Sequence, residues 1–284
     1  IPAVIAGPML RRVDAEQLVI WLVTSRPIQL DLDWQVEVTD QHVANPLSAD
    51  SVQQSTFQVG QKAYIHLITV NQSGLHQPGH FYRYRVLDKN THADIVAPDL
   101  YYESASAFRY CYNQTLTNVI HGSCRKPHFA GDDALAQIDV MLQDSPNQPP
   151  DLIMMSGDQI YADDVAGPTL FAIRQVIELL GLFDETLDGA SISNGHELDD
   201  SPLGYYQREQ LLPKTEDNGL LAALFFKAKR KPIFTSVNAK NHLITASEIF
   251  AMYLLVWSPV MWRFVSLARP SHIDSKYHNL YQSE

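Results

Sequence analysis

The sequence predicts a mixed α and β fold: a β-sandwich module over residues 1–112, then an α/β layer over residues 113–284. Three observations predict it. Short strand-like runs fill the first 110 residues, with unbroken period-two alternation from Ile28 to Val38, a strand–helix–strand pattern begins near residue 116, and 284 residues at 45% hydrophobic suffice for two cores. A chain of this length buries roughly three quarters of the surface it exposes when unfolded, so it needs no disulfide scaffold, and it carries only two Cys.

The longest alternating run sets the grammar of the first module. Ile28, Leu30, Leu32, Trp34, Val36 and Val38 fall on one face, with Gln29, Asp31, Asp33, Gln35 and Glu37 on the other. That is a half-buried antiparallel strand. Leu18–Thr24, Ala63–Val70 and Phe81–Leu87 are further strands, rich in Val, Ile, Tyr and Trp. In the last, Tyr82, Tyr84 and Val86 oppose Arg83 and Arg85. Gly60, Gly74 and Pro78-Gly79 punctuate the runs as turns.

The pattern changes after residue 115. Leu116–His121 reads as a short strand ending in Gly122-Ser123-Cys124. Asp132 or Asp133 caps a helix carrying Leu135, Ile138, Met141 and Leu142 at helical spacing, and Pro146, Pro149 and Pro150 forbid its continuation. Asp151 to Ser156 reads as a buried apolar strand and runs straight into Gly157-Asp158. Such a unit implies parallel strands and a right-handed crossover. Further helices are expected near 169–183 and 245–258, the second of them a core helix; the apolar stretch 249–262 is too short for a membrane span.

The charge is uneven. Residues 131–164 hold eight Asp and no Glu, Lys or Arg, so −8 of the net −11 sits in 34 residues. The acidic balance argues against a nucleic-acid-binding surface. The run itself is either a solvated face or a place that holds cations.

In an open parallel sheet, ligands bind where the strands end. Cys124 follows the first strand of the unit and Asp158 the second, so the topology delivers both to one edge. Tyr161 and the pair Asp163 and Asp164 come just after. Thiolate, carboxylate and phenolate together suit a hard, highly charged ion such as ferric iron, and further carboxylates suit calcium or manganese. Arg125 and Lys126 adjoin Cys124, and Arg125 is a candidate contact for substrate phosphate. His121 and His128 flank the same cysteine. The cluster Lys227, Lys229, Arg230 and Lys231 reads as a solvated face.

Other chemistries fail simple checks. A cysteine phosphatase needs Arg six positions after its Cys, where this chain has Ala130. The hydrolase elbow, the phosphate-binding P-loop and the dinucleotide glycines are absent from the sequence.

Gly122-Ser123-Cys124 and Gly157-Asp158-Gln159-Ile160-Tyr161 resemble the PhoD-like branch of the calcineurin-like metallophosphoesterases, and the Gly-Asp-x-x-Tyr arrangement is similar to that of purple acid phosphatases. Residues 6–12, 231–235, 241–243 and 253–259 fit a bacterial subgroup of that branch, so the resemblance covers nearly the whole chain. It implies a β-sandwich followed by an α/β-sandwich metallophosphoesterase domain. It also implies a ferric ion held by Cys124 and Tyr161, with Asp158 bridging to a divalent ion (calcium, manganese or zinc). The activity implied is hydrolysis of a phosphate monoester or diester by a metal-bound hydroxide.

The chain departs from the family in one respect. The Asn-His-Asp/Glu and Gly-His-x-His motifs that complete such sites do not follow residue 164. Asn194-Gly195-His196-Glu197 has the wrong order, and Asn241-His242 is followed by Leu243. The resemblance places those motifs after Trp257-Ser258-Pro259, so residues 113–284 are expected to be the first half of a catalytic domain. The alternative is a non-catalytic binding or structural module with a vestigial or calcium-holding acidic site. The family-like segment at residues 6–8 leaves little room for an export signal, which predicts a cytoplasmic location, although other PhoD-like proteins are exported.

Overall fold

A computed structural model describes residues 1–38, 41–44, 47–102, 105–126, 131–163, 165–216, 230–232 and 239–284. The chain divides into two units. The first comprises the described residues of 1–125 and 131–159, and the second those of 160–284 together with Lys126.

Two four-stranded antiparallel sheets dominate the first unit. One is ordered β1 (Val4–Val13), β2 (Gln17–Thr24), β6 (Ala63–Asn71) and β5 (Val52–Gly60). The other is ordered β4 (Gln41–Ala44), β3 (Leu30–Val38), β7 (His80–Asp88) and β8 (Phe108–Tyr112). The expected alternation is realised in β3, where Leu30, Leu32 and Trp34 are buried and Asp31 and Asp33 are half-buried. Leu18, Ile20 and Leu22 of β2 join Trp34, Tyr82 and Val86 in one hydrophobic cluster, so the two sheets share a core. Strands β1, β4, β5 and β8 were not evident from the sequence. Val52–Gly60 carries Gln53, Gln54, Ser55, Thr56 and Gln58, and such a polar run on a sheet edge gives no apolar period to read.

The core holds a polar relay. Trp34 Nε1 donates to Tyr110 Oη at 2.8 Å, and the same oxygen lies 2.8 Å from His76 Nε2. An indole N–H only donates, so the Tyr110 hydroxyl accepts there and gives its own proton to His76 Nε2. His76 is then the Nδ1–H tautomer, donating to the Asp14 carbonyl at 2.6 Å. Burial, the largest influence, keeps this ring neutral by lowering its pKa. Tyr82 stacks on Trp34 with ring centroids 5.1 Å apart.

The strand–helix–strand element is present as β9 (Val119–Gly122), α1 (Ala134–Asp144) and β10 (Leu152–Met155). Strands β9 and β10 are parallel, as expected. The buried-strand expectation for β10 is corrected: Leu152, Ile153 and Met154 are 39%, 46% and 47% exposed. Among the described residues these two strands form a sheet by themselves, so nothing in that sheet covers their flanks. The element is tied to the antiparallel sheets by polar contacts. Arg109 reaches the Pro146 carbonyl and Asn147, and Tyr102 donates to Asp139.

In the second unit, α2 (Gly167–Leu180) contacts α4 (Ala246–Trp257), with α3 (Gly195–Asp200) between them in sequence and α5 (His278–Ser283) at the end. Helix α2 stops at Gly181, whose φ of 57° is the left-handed conformation of a C-terminal cap. Thr245 and Glu248 form a capping box that starts α4. The core-helix expectation holds for Ala251, Met252, Leu254 and Leu255, but Ile249 and Tyr253 are exposed on the other side. Glu248 also meets buried Arg208 at 2.5 Å, while Arg208 donates to the His242 carbonyl. Asn241 is structural too, accepting from Tyr206 N and donating to the Val165 carbonyl.

Two outcomes follow from these networks. Glu248→Ala removes the capping box and strands a buried guanidinium, so chemical denaturation is expected to show a loss of about 3–5 kcal/mol. Tyr110→Phe leaves Trp34 Nε1 and His76 Nε2 without partners and is expected to cost about 2 kcal/mol by urea unfolding; an unchanged midpoint would contradict the relay.

Candidate functional site at the β9–β10 edge

The register fixes the site. Val119 pairs with Leu152 and Gly122 with Met155, so β9 and β10 end together. Ser123-Cys124 and Ser156-Gly157-Asp158 therefore leave the sheet side by side. Ser156 N donates to the Gly122 carbonyl at 3.1 Å, and Arg125 N donates to the Asp158 carbonyl at 3.0 Å. These two bonds hold the exit segments together beyond the strands.

Gly157 makes that approach possible. A Cβ at this position would lie 2.6 Å from Cys124 Sγ, 2.6 Å from Ser123 Oγ and 2.8 Å from Cys124 N. Backbone cannot yield as a flexible side-chain tip can, so only glycine fits. Cys124 is exposed and so does not serve as a small buried hydrophobe. Asp158 is also exposed, and its carboxylate has no hydrogen bond or ion pair among the described residues.

The polar surroundings are ordered. His121 Nε2 lies 2.6 Å from Ser156 Oγ. Arg125 makes two hydrogen bonds to Asp133, at 3.1 Å through Nε and 2.5 Å through Nη2. Asp133 in turn caps α1 by accepting from Leu135 N at 3.0 Å. Arg125 is foremost in holding the Asp133 carboxyl below the usual range. The N-terminus of α1 and a guanidinium thus stand close to Cys124 in the chain and on the edge where the strands end.

Asp151 secures the opposite end of the strand pair. It accepts from Asn113 Nδ2, Thr117 N and Asn118 N at 2.6, 2.7 and 2.8 Å. Those bonds, led by Asn113, lower its pKa to about 2. Sequence reading passed over both Asp151 and the steric role of Gly157. The available signal was an acid placed immediately before a strand, where its oxygens can take the unpaired N–H groups of the neighbouring chain.

Tyr161 belongs to the second unit, where Lys126 Nζ lies 5.5 Å from its ring centroid. The structure thus brings Cys124, Arg125 and Asp158 together in the first unit, with Tyr161 at the start of the second. Asp164 and His128 lie outside the described residues, as do Lys227 and Lys229 of the basic cluster. Among the described residues no three His, Cys, Asp or Glu side chains are grouped to hold a metal ion. The sulfur of Cys124 and the carboxylate of Asp158 at the strand ends are of the donor types that the resemblance implies. The clearance left by Gly157 matches the close approach they need.

No family model and no curated protein matches this chain. No helix among the described residues is long and apolar enough to cross a membrane.

Gly157→Ala is expected to separate the two exits while the antiparallel sheets persist. The readout is hydrogen exchange, with the amides of Arg125 and Ser156 losing protection while those of β2 and β6 keep theirs. Retained protection at Arg125 would show that the clearance is not limiting.

Proposed function

We propose that this chain is part of a metal-dependent phosphoesterase, hydrolysing phosphate mono- or diesters at the β9–β10 edge. The observation that carries the reading is the paired exit of Cys124 and Asp158 across Gly157, which supports the resemblance of those segments to the PhoD-like metallophosphoesterases. In that reading the two antiparallel sheets are the β-sandwich, and β9–α1–β10 is the start of the α/β-sandwich. Such a layer would seat further strands and helices against Leu152, Ile153 and Met154.

Each residue has a role in this reading. Cys124 and Asp158 would hold the metals, and the resemblance adds Tyr161 as a further ligand. Ferric iron with a divalent ion (calcium, manganese or zinc), when bound, supplies a hydroxide near neutral pH and neutralises phosphoryl charge. Arg125 meets a substrate phosphate oxygen, with Asp133 fixing the direction of its guanidinium. The first turn of α1 contributes the positive end of a helix dipole on the same side.

The test is metal content and visible absorbance after loading with ferric iron and manganese, together with hydrolysis of bis-p-nitrophenyl phosphate. Retained iron with a phenolate or thiolate charge-transfer band is expected. Asp158→Asn is expected to lower divalent-metal retention and any turnover by more than about 100-fold. A protein that takes up no metal, or turnover unaffected by Asp158→Asn, leaves the non-catalytic alternative in which the acidic segment holds calcium or nothing.

A further inference from the structure

The two four-stranded sheets of the first unit have four edges, and three of them carry features that block pairing with another chain. Strand β1 holds Pro8, Arg11 and Arg12 and has three register shifts against β2. Strand β4 is four residues long. Strand β8 is five residues long, and its Arg109 donates to the Pro146 carbonyl and Asn147. The fourth edge, β5, has none of these features. It runs nine residues, Val52–Gly60, without a proline, and pairs with β6 in unbroken register from Val52 to Gln58.

The chemistry of this edge also differs from that of the chain as a whole. Residues 51–61 contain no Asp, Glu, Lys, Arg or His, in a chain whose net charge is −11. Residues 53–58 are all exposed. Phe57, at 61%, is the most exposed large apolar side chain among the described residues.

The ladder fixes which backbone groups are free. Gln72 N donates to the Glu16 carbonyl at 2.9 Å, one step beyond the Gln17–Asn71 pair of β2 and β6. Antiparallel pairs alternate between bonded and non-bonded, so even-numbered residues of β6 bond to β2 and odd-numbered ones to β5. Thr69, Leu67 and Ile65 therefore bond Gln53, Ser55 and Phe57. The N–H and C=O groups of Gln54, Thr56 and Gln58 project away from β6, and they meet no partner among the described residues. The Gln54 side chain is engaged, with Leu30 N and the Ile28 carbonyl, but its backbone is not.

We propose that β5 is a self-association edge, at which a second copy of this chain adds its own β5 antiparallel about a two-fold axis. The two four-stranded sheets then become one continuous sheet. In the register centred on Phe57, Thr56 of each copy faces Gln58 of the other, and each such pair exchanges both main-chain bonds. Phe57 meets Phe57 of the second copy in the non-bonded pair between them, where side chains lie closest, and both rings leave water. A second copy suits this edge better than a charged partner does. Two copies at −11 repel each other over most of their surfaces, and the repulsion is least along an uncharged stretch. A partner that docks through charged side chains finds no counter-charge here, whereas a second β5 brings Gln, Ser and Thr, which both donate and accept.

The test is sedimentation velocity of the whole chain at rising concentration, with residue-resolved amide exchange over the same range. The mass is expected to rise toward twice that of the monomer. The Thr56 and Gln58 amides are expected to gain protection as it does, while Ile68, bonded inside the sheet, stays constant. A mass that stays monomeric throughout overturns the proposal, as does a dimer whose Thr56 and Gln58 amides remain unprotected. Phe57→Lys and Phe57→Glu each set like charges opposite one another and are expected to weaken association by at least about tenfold. Mixing the two is expected to restore the dimer, because opposite charges then face each other. Unchanged association of either variant alone, or a mixture no stronger than its parts, rejects the pairing. Should either variant fail to fold, Gln58→Pro removes an outward N–H without touching a bond to β6. It is expected to be monomeric, and a retained dimer rejects the proposal.

Discussion

The close approach at Gly157 is the constraint on which the candidate site depends. Two chain exits can leave a parallel strand pair side by side only if the backbone of one passes within contact distance of the side chains of the other. A Cβ would overlap sulfur, hydroxyl and amide together, and the amide belongs to the backbone. The Arg125 and Ser156 bonds then lock what the missing Cβ permits. Cys124 and Asp158 owe their proximity to this geometry and not to any direct bond between them.

Much of this was legible in the sequence, for physical reasons that also explain the gaps. Strand β3 was legible because one of its faces is buried and the other is not, which writes period two into the residues. The β9–α1–β10 unit was legible from its punctuation, an acidic cap before the helix and prolines after it. Strand β5 was not, because its edge position leaves a polar run from Gln53 to Thr56 and an exposed Phe57, with no apolar period. The exposure of β10 was not legible either, since an apolar run records the environment a strand is suited to and says nothing of which neighbours are present. At the site, the residue types and their order pointed to the edge, whereas the reason the edge can close lies in a contact between positions 124 and 157 that no local pattern encodes.

The first unit uses buried polar groups in two distinct ways. The Trp34–Tyr110–His76 relay joins an indole of one sheet to the Asp14 carbonyl at the β1–β2 turn through side chains that are all inside the core. Every member is satisfied, so it specifies one packing of the aromatic cluster. The chain from Gln54 through Thr56, His66 and Thr24 differs because it begins beside the start of β3, where the Gln54 amide stands in for a strand.

The acidic segment shows how charge can be mechanical before it is chemical. Asp133 caps α1 and grips Arg125, Asp139 accepts from Tyr102, and Asp151 fastens the beginning of β9. Three carboxylates of the run thus anchor an element with few buried apolar contacts of its own, for α1 has no buried residue. Hydrogen bonds to charged groups are stronger than neutral ones, so they can carry that load where hydrophobic burial does not. Asp158 has no such duty among the described residues, as is also true of Asp132 and Asp144, and what distinguishes it is its place. It stands where the topology sends ligands, beside a thiol, with its oxygens uncommitted. Its position at the end of a parallel strand pair, and not the missing partner alone, is therefore the physical reason to propose a site at this edge.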